Sequence, residues 1–314
     1  MKSALKRLAP ALLCLCLLLT GCSADAAEEK DSSKLQIVCT SFPAYDFARE
    51  IAGDRAQIKL LIKPGAEVHS YEPAPKDIIA IQESDLFICN GGESEEWVES
   101  LIDGSVNVLR MMDCVETVAE SSEGIYAAED GHDGGEEEEE LDEHVWTTPG
   151  NAAKICYALC DKLMEADPEH MNEYMLNYEV YNAQLMELDI EIRTTVLNGV
   201  RKTLVFADRF PMRYFSREYG LTCYAAYPGC ASQTEPSAKT VAFLIDHVRE
   251  EGIPAVLYME FSNEKMADVI CEDTGCKKLA FYSAHSVTAQ QFSDGVTYLD
   301  LMRMNIETLK EALY

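Results

Sequence analysis

Residues 167–197 read DPEHMNEYMLNYEVYNAQLMELDIEIRTTVL. Asp167-Pro168 supplies a helix N-cap followed by proline in the first turn. Met171, Tyr174, Met175, Tyr178, Tyr181, Leu185, Leu188 and Ile192 then recur at spacings of three and four. The spacing predicts one helix, unbroken to Leu197 and about 45 Å long, whose stripe suits core packing. On either side the pattern changes to short apolar runs alternating with helical ones. Before the helix, the strand candidates are Leu35–Thr40, Gln57–Ile62, Asp85–Asn90 and Val106–Met111, with helices such as Ala44–Ala52 and Lys76–Glu83 between them. After it come Lys202–Ala207, Leu221–Tyr227, Ala255–Glu260 and Lys277–Tyr282, with helices such as Thr240–Glu251 and Glu264–Asp273. Parallel strands need crossovers, and helices provide them. The expected fold is α/β, with two lobes, each a small, about four-stranded, mostly parallel sheet with flanking helices, joined by one long rigid helix. As the only connector, that helix would restrict hinge-bending closure.

The N-terminus reads as a secretory leader over 1–21: Lys2, Lys6 and Arg7, then an apolar run from Ala9 to Leu19 that is too short to span a membrane. It ends in Leu19-Thr20-Gly21-Cys22, which resembles the bacterial lipobox and implies acylation at Cys22; the alternative is an ordinary signal peptide with a cysteine at its cut site. Residues 22–34 then form a lipidated tether, small and polar from Ser23 to Ser33. The remaining division is an N-terminal lobe over 35–166, the linking helix over 167–198 and a C-terminal lobe over 199–314.

The formal net charge of -29 excludes nucleic-acid binding through phosphate contacts. Of the 12 cysteines, Cys14 and Cys16 leave with the leader and Cys22 is the anchor, so an odd number remains. Cys223 with Cys230, and Cys271 with Cys276, are close enough for short-loop disulfides; Cys156 and Cys160 are neighbours on one helix face. No Cys-x-x-Cys occurs, and most of these thiols read as small core hydrophobes. Residues 123–143 break the β/α pattern with an acidic insertion holding one histidine, His132, a candidate for metal gathering or merely part of a solvated loop.

Three histidines fall just beyond the carboxyl ends of predicted strands, where parallel α/β sheets bind ligands. His69 lies in Gly65-Ala66-Glu67-Val68-His69-Ser70-Tyr71-Glu72-Pro73-Ala74-Pro75, a turn stiffened by glycine and prolines. His144 lies in Asp142-Glu143-His144-Val145-Trp146, and His285 in Tyr282-Ser283-Ala284-His285-Ser286. Imidazoles converging from separate loops at a domain interface suit a zinc-type site. His132, His170 and His247 are expected to face solvent.

The Gly-x-x-x-His-x-Tyr-Glu-Pro-x-Pro stretch resembles the first ligand loop of the zinc/manganese-binding lipoproteins that feed ABC importers, and the likeness recurs over nearly the whole chain after the leader. That resemblance implies a lipid-anchored, extracytoplasmic receptor with a helical spine. It would work as a monomer with an ABC permease and its ATPase. The resemblance also implies His69 as first ligand and His144 as second, since Asp142, His144 and Trp146 keep the family's Asp-x-His-x-Trp, although Thr147-Thr148-Pro149 replaces the usual Leu-Asp-Pro. At the third ligand position the chain departs: Ala207-Asp208-Arg209-Phe210 puts Arg209 in the ligand slot. Arginine has no lone pair to offer. Asp208 is the replacement candidate, the alternative being a strand-end aspartate that pairs with Arg209 or caps a helix. At the fourth position the family's aspartate gives way to Ser283-Ala284-His285, so that His285 restores a nitrogen. The implied set is His69, His144, His285 and Asp208 or water. Glu72, Glu260, Arg209 and Trp146 stand behind them, with Glu260 orienting a histidine or pairing with Arg209.

Three imidazoles favour Zn²⁺ over Mn²⁺ or Fe²⁺. A zinc-dependent hydrolase is a second reading, with Glu260 as its one candidate base; no His-Glu-x-x-His or Gly-x-Ser-x-Gly is present. A surface adhesin with a structural metal is a third.

Overall fold

The computed structural model describes residues 31–66, 71–102, 104–120, 141–227 and 236–314. The leader, Cys22 and most of the tether lie outside the described residues, as do His69, His132 and Cys230. Eight strands form two sheets of four. The first is built from β1 (Leu35–Cys39), β2 (Ala56–Leu60), β3 (Leu86–Cys89) and β4 (Val108–Arg110), in the order β2-β1-β3-β4. The second contains β5 (Thr203–Phe206), β6 (Thr222–Ala225), β7 (Ala255–Met259) and β8 (Lys277–Phe281), in the order β6-β5-β7-β8. Every pairing is parallel, and the inner strands β3, β5 and β7 are buried along nearly their whole length.

The crossovers are helices α1 (Phe42–Ala52) and α2 (Pro75–Gln82) in the first lobe, and α5 (Arg213–Tyr219), α6 (Ala238–Glu250) and α7 (Lys265–Thr274) in the second. Between the lobes run α3 (Pro149–Ala166) and the spine, α4 (Met171–Asn198). Pro168 opens a short 3-10 turn, Pro168–His170, ahead of the spine, where the Asp167 carboxylate accepts from Tyr174 Oη at 2.7 Å and meets His170 Nδ1 at 2.7 Å. Of the apolar stripe read from the sequence, Tyr174, Tyr181, Leu185, Leu188 and Ile192 are buried; Met171, at the frayed start, is exposed. The chain closes with α8 (Ala289–Ser293) and α9 (Tyr298–Leu313), each opened by a capping box, Thr288 with Gln291 and Thr297 with Asp300.

The spine is the one covalent crossing between the sheets, and other contacts brace it. One apolar cluster runs from Ile37 and Phe47 through Tyr181, Leu185 and Ile192 to Phe206, Phe281 and Leu301. Asp46, fully buried on α1, accepts a 2.7 Å hydrogen bond from the backbone N–H of Tyr298, the first residue of α9. A carboxylate from the first lobe thus caps the last helix of the chain, where the helix dipole favours negative charge. Tyr298 Oη in turn donates to the Trp146 carbonyl at 2.8 Å.

Burial pushes the Asp46 carboxyl up to about 6 from an ordinary 3.8, against the opposing pull of Arg49 and of the Tyr298 N–H. The folded chain therefore holds this proton over a pH range in which the unfolded chain has released it, so stability falls as pH rises through that window. The Asp46→Asn variant titrates nothing there. Thermal unfolding from pH 4 to pH 7 should show the wild type losing ground to Asp46→Asn between about pH 4 and pH 6; parallel curves would mean that Asp46 is ionised throughout.

Candidate metal centre

The carboxyl ends of both sheets converge on one region. On the first-lobe side, Leu141 bridges Ala119, and Asp142, Glu143, His144, Val145 and Trp146 are all buried. Leu141, Asp142 and Glu143, the end of the segment read as an acidic loop to residue 143, thus belong to the described fold. The Glu143 carboxylate accepts from Ser94 N at 2.8 Å and from Ser94 Oγ, and its carbonyl accepts from Asn90 Nδ2 at 2.9 Å. Asp142 Oδ1 accepts from the His144 backbone N–H at 2.8 Å and lies 3.2 Å from His144 Nδ1. This contact assigns Nδ1 the proton and leaves Nε2 as the nitrogen for coordination. Burial draws the His144 pKa down, and Asp142, Glu143 and Glu120 outweigh it, so the imidazole sits above the ordinary histidine range.

On the second-lobe side, Glu260 follows β7 and its carboxylate accepts from Ser283 N at 2.8 Å and from Ser283 Oγ at 2.5 Å. Ser283 Oγ accepts from the His285 backbone N–H at 3.2 Å. Glu260 therefore orients His285 through Ser283, and burial raises its carboxyl pKa despite these donors. Two residues here adopt the left-handed backbone that disfavours a side chain: Ala284 at φ 59° and Phe261 at φ 63°. Each costs about 1–2 kcal/mol. Such strain is held only where the surroundings over-determine it.

The two loops are tied together. Trp146 Nε1 donates to the Ser283 carbonyl at 2.8 Å, and the indole lies 4.8 Å, centroid to centroid, from the His285 ring. His144 and His285, one from each lobe, approach edge to face with centroids 5.5 Å apart. Two imidazoles bound to one tetrahedral ion at about 2 Å per Zn–N bond place their centroids about 5 Å apart.

Gly65 is described just ahead of the segment that holds His69. A Cβ built on Gly65 would come within 4.0 Å of Phe261 Cε1, across the lobes. Beyond His69, Tyr71 Oη donates to Asp77 Oδ2 at 3.1 Å and its ring meets Trp97 edge-on at 5.8 Å. Glu72 is exposed. Asp208 Oδ1 accepts from the Arg209 backbone N–H at 2.8 Å and Oδ2 from Met259 N at 3.2 Å, so it ties the end of β5 to β7. Among the described residues no three His, Cys, Asp or Glu side chains gather around one ion position. The other histidines differ from the solvent-facing expectation: His170 is half-buried against Asp167, and His247 packs at 4.1 Å from the Tyr224 ring and stacks on Phe243.

The profile of the family described as zinc-uptake complex component A, periplasmic (ZnuA), matches residues 37–312. The chain belongs to the ZnuA family. That family is one of solute receptors in zinc uptake. The chain is 30% identical to the high-affinity zinc uptake system protein ZnuA of Bacillus subtilis, with 95% of this chain and 94% of that protein aligned. It is 29% identical to the zinc-binding lipoprotein AdcA of Streptococcus pneumoniae over 98% of this chain, which spans only 61% of AdcA. The crystal structure of the Zn(II)-bound ZnuA-like domain of Streptococcus pneumoniae AdcA superposes with a TM-score of 0.73 at 27% identity, covering 89% of this chain and 99% of that one.

Sequence reasoning did not single out Ser283, Asp46, Tyr214 or Tyr298. Tyr214 Oη donates to the Asp142 carbonyl at 2.8 Å and so supports the His144 loop from the second lobe. Only Ser283 left a signal, its place between a strand end and a histidine. If the indole N–H fixes the two loops, Trp146→Phe should weaken zinc binding by roughly ten- to a hundredfold while the fold is kept; Asp142→Asn should do the same through His144. Titration calorimetry alongside circular dichroism checks both, and unchanged affinity in both variants would show that the loops hold their positions without these bonds.

Proposed function

We propose that this chain captures Zn²⁺ between its lobes with His69, His144 and His285, and delivers it to an ABC permease and its ATPase. The observation that carries the reading is the edge-to-face approach of His144 and His285 from opposite lobes at 5.5 Å. Their loops are tied together by the Trp146–Ser283 hydrogen bond. A nitrogen-rich set favours zinc over manganese or iron. Water completes the tetrahedron in this reading, and Asp208 uses its two oxygens to accept backbone N–H groups. Asp208 and Glu260 act as braces, as does Trp146.

The chain works outside the cytoplasm as a monomer, held to the membrane by lipid on Cys22, with residues 22–34 as its tether between a leader over 1–21 and a lobe that begins at residue 35. It binds and releases without chemistry. Glu260, the one candidate base for a hydrolase, has both oxygens engaged by Ser283, which supports this reading. Release depends on the permease separating loops that the receptor alone keeps together.

Calorimetry of the apo soluble form, from Ser33 onward, with Zn²⁺ and Mn²⁺ tests the assignment. The expected result is stoichiometric, tight zinc binding that is lost in the His69→Ala/His285→Ala double variant. A preference for manganese would show that oxygen ligands dominate, and no binding of either ion would remove the site.

A further inference from the structure

Helix α7 ends in Cys271-Glu272-Asp273-Thr274-Gly275-Cys276. Gly275 adopts the left-handed conformation, φ 75°, and its N–H donates to the Cys271 carbonyl at 2.8 Å. This is the αL stop of a helix, which turns the chain back over its last turn. The residue after the glycine is then carried onto the first residue of that turn, a place usually filled by an apolar pair. Here both positions are cysteines, and their Sγ atoms lie 3.4 Å apart. Thr274 Oγ1 fixes the turn by donating to the Ile270 carbonyl at 2.7 Å and accepting from Cys276 N at 3.3 Å. The other described cysteines have no thiol within hydrogen-bond reach in the structure, and five of those six are buried.

A pair of adjacent thiols on a zinc receptor has two chemical fates, a metal chelate or a disulfide. A chelate requires thiolates. Both cysteines pack on the apolar cluster formed by Val205, Leu244, Val248 and Ile270. Burial there, reinforced by the neighbouring Cys276, pushes the Cys271 thiol up to about 12. Such surroundings oppose two negative charges and accept a neutral disulfide.

We propose that Cys271 and Cys276 form a disulfide once the chain is outside the cytoplasm, a clasp across the α7–β8 turn. The proposal rests on the export part of the proposed function and is independent of the metal site. The oxidant is the disulfide of an extracytoplasmic thiol oxidoreductase. One cysteine thiolate attacks a sulfur of that disulfide and expels the other sulfur as a thiolate. The second cysteine then attacks the mixed disulfide, so the Cys271–Cys276 S–S bond forms as the donor's breaks. The two protons end on the two donor thiols. The clasp takes two soft ligands off the surface of a protein whose cargo prefers them, and it pins the start of β8, the strand that leads to Ser283 and His285.

The test uses the purified, folded full chain in excess oxidised glutathione, with subsequent alkylation in denaturant and peptide mass mapping. The expected product is an unalkylated 271–276 peptide lighter by two hydrogens, with an unfolding midpoint about 4 °C above that of the reduced protein. The Cys271→Ser variant should show no such shift. Alkyl groups or glutathione on both cysteines would overturn the proposal. So would protection of the two thiols from alkylation by Zn²⁺ in the reduced protein, which would make the pair a metal chelate. None of these readouts depends on where the chain resides or on its histidines, so failure here leaves the receptor reading standing.

Discussion

A single buried carboxylate decides how the two lobes sit. Asp46 has no water to solvate it and compensates by accepting the first N–H of α9 and pairing with Arg49. From that point a chain of hydrogen bonds runs through the molecule: Tyr298 to the Trp146 carbonyl, Trp146 to the Ser283 carbonyl, Ser283 to Glu260. Each link joins segments far apart in sequence, and each leaves a buried polar group unpaired if it breaks, a penalty of about 1–3 kcal/mol. The network is the reason His144 and His285 face each other, since neither histidine is placed by a strand alone.

This arrangement distinguishes the molecule from receptors that close around a ligand by bending at a hinge. A continuous apolar core passes through both lobes and the spine, so large rotation would expose packed surface. What remains movable is local, namely the loops at the strand ends. Ala284 and Phe261 hold left-handed backbone in those loops at an energetic cost, and the Ser283–Glu260 bonds keep Ala284 there. Strain beside a ligand position is a store of free energy that a small change of loop shape can release.

Much of this was legible from sequence. The spine, from its Asp167-Pro168 start, and all eight strands follow from periodicity, because a 3.6-residue stripe and short β-branched runs are distinct signals. The rule that parallel sheets bind at their carboxyl ends picked out His144 and His285, whose rings face each other. The supports were harder to see. Asp46 reads as an ordinary polar position in an amphipathic helix, and Tyr298 as the start of another; their pairing spans 252 residues. No local pattern encodes such a contact. Asp208 shows another limit: its position suggested either a ligand or a strand-end brace, and the two backbone amides its oxygens accept could not be read from sequence. His170 and His247 were misjudged because a histidine beside charges on a helix gives no sign of an aromatic or carboxylate partner waiting underneath.

The same span has a consequence for when the protein comes into being. The cap on Asp46 is donated by Tyr298, 252 residues further along, so a chain in which that residue is not yet made cannot complete the network. Closing so long a loop is slow, and its reward comes only at the end. Until Tyr298 arrives, Trp146 lacks its partner and the two histidine loops have nothing to register them. The register of the two histidine loops is therefore set late, once residue 298 has been made and has docked on Asp46.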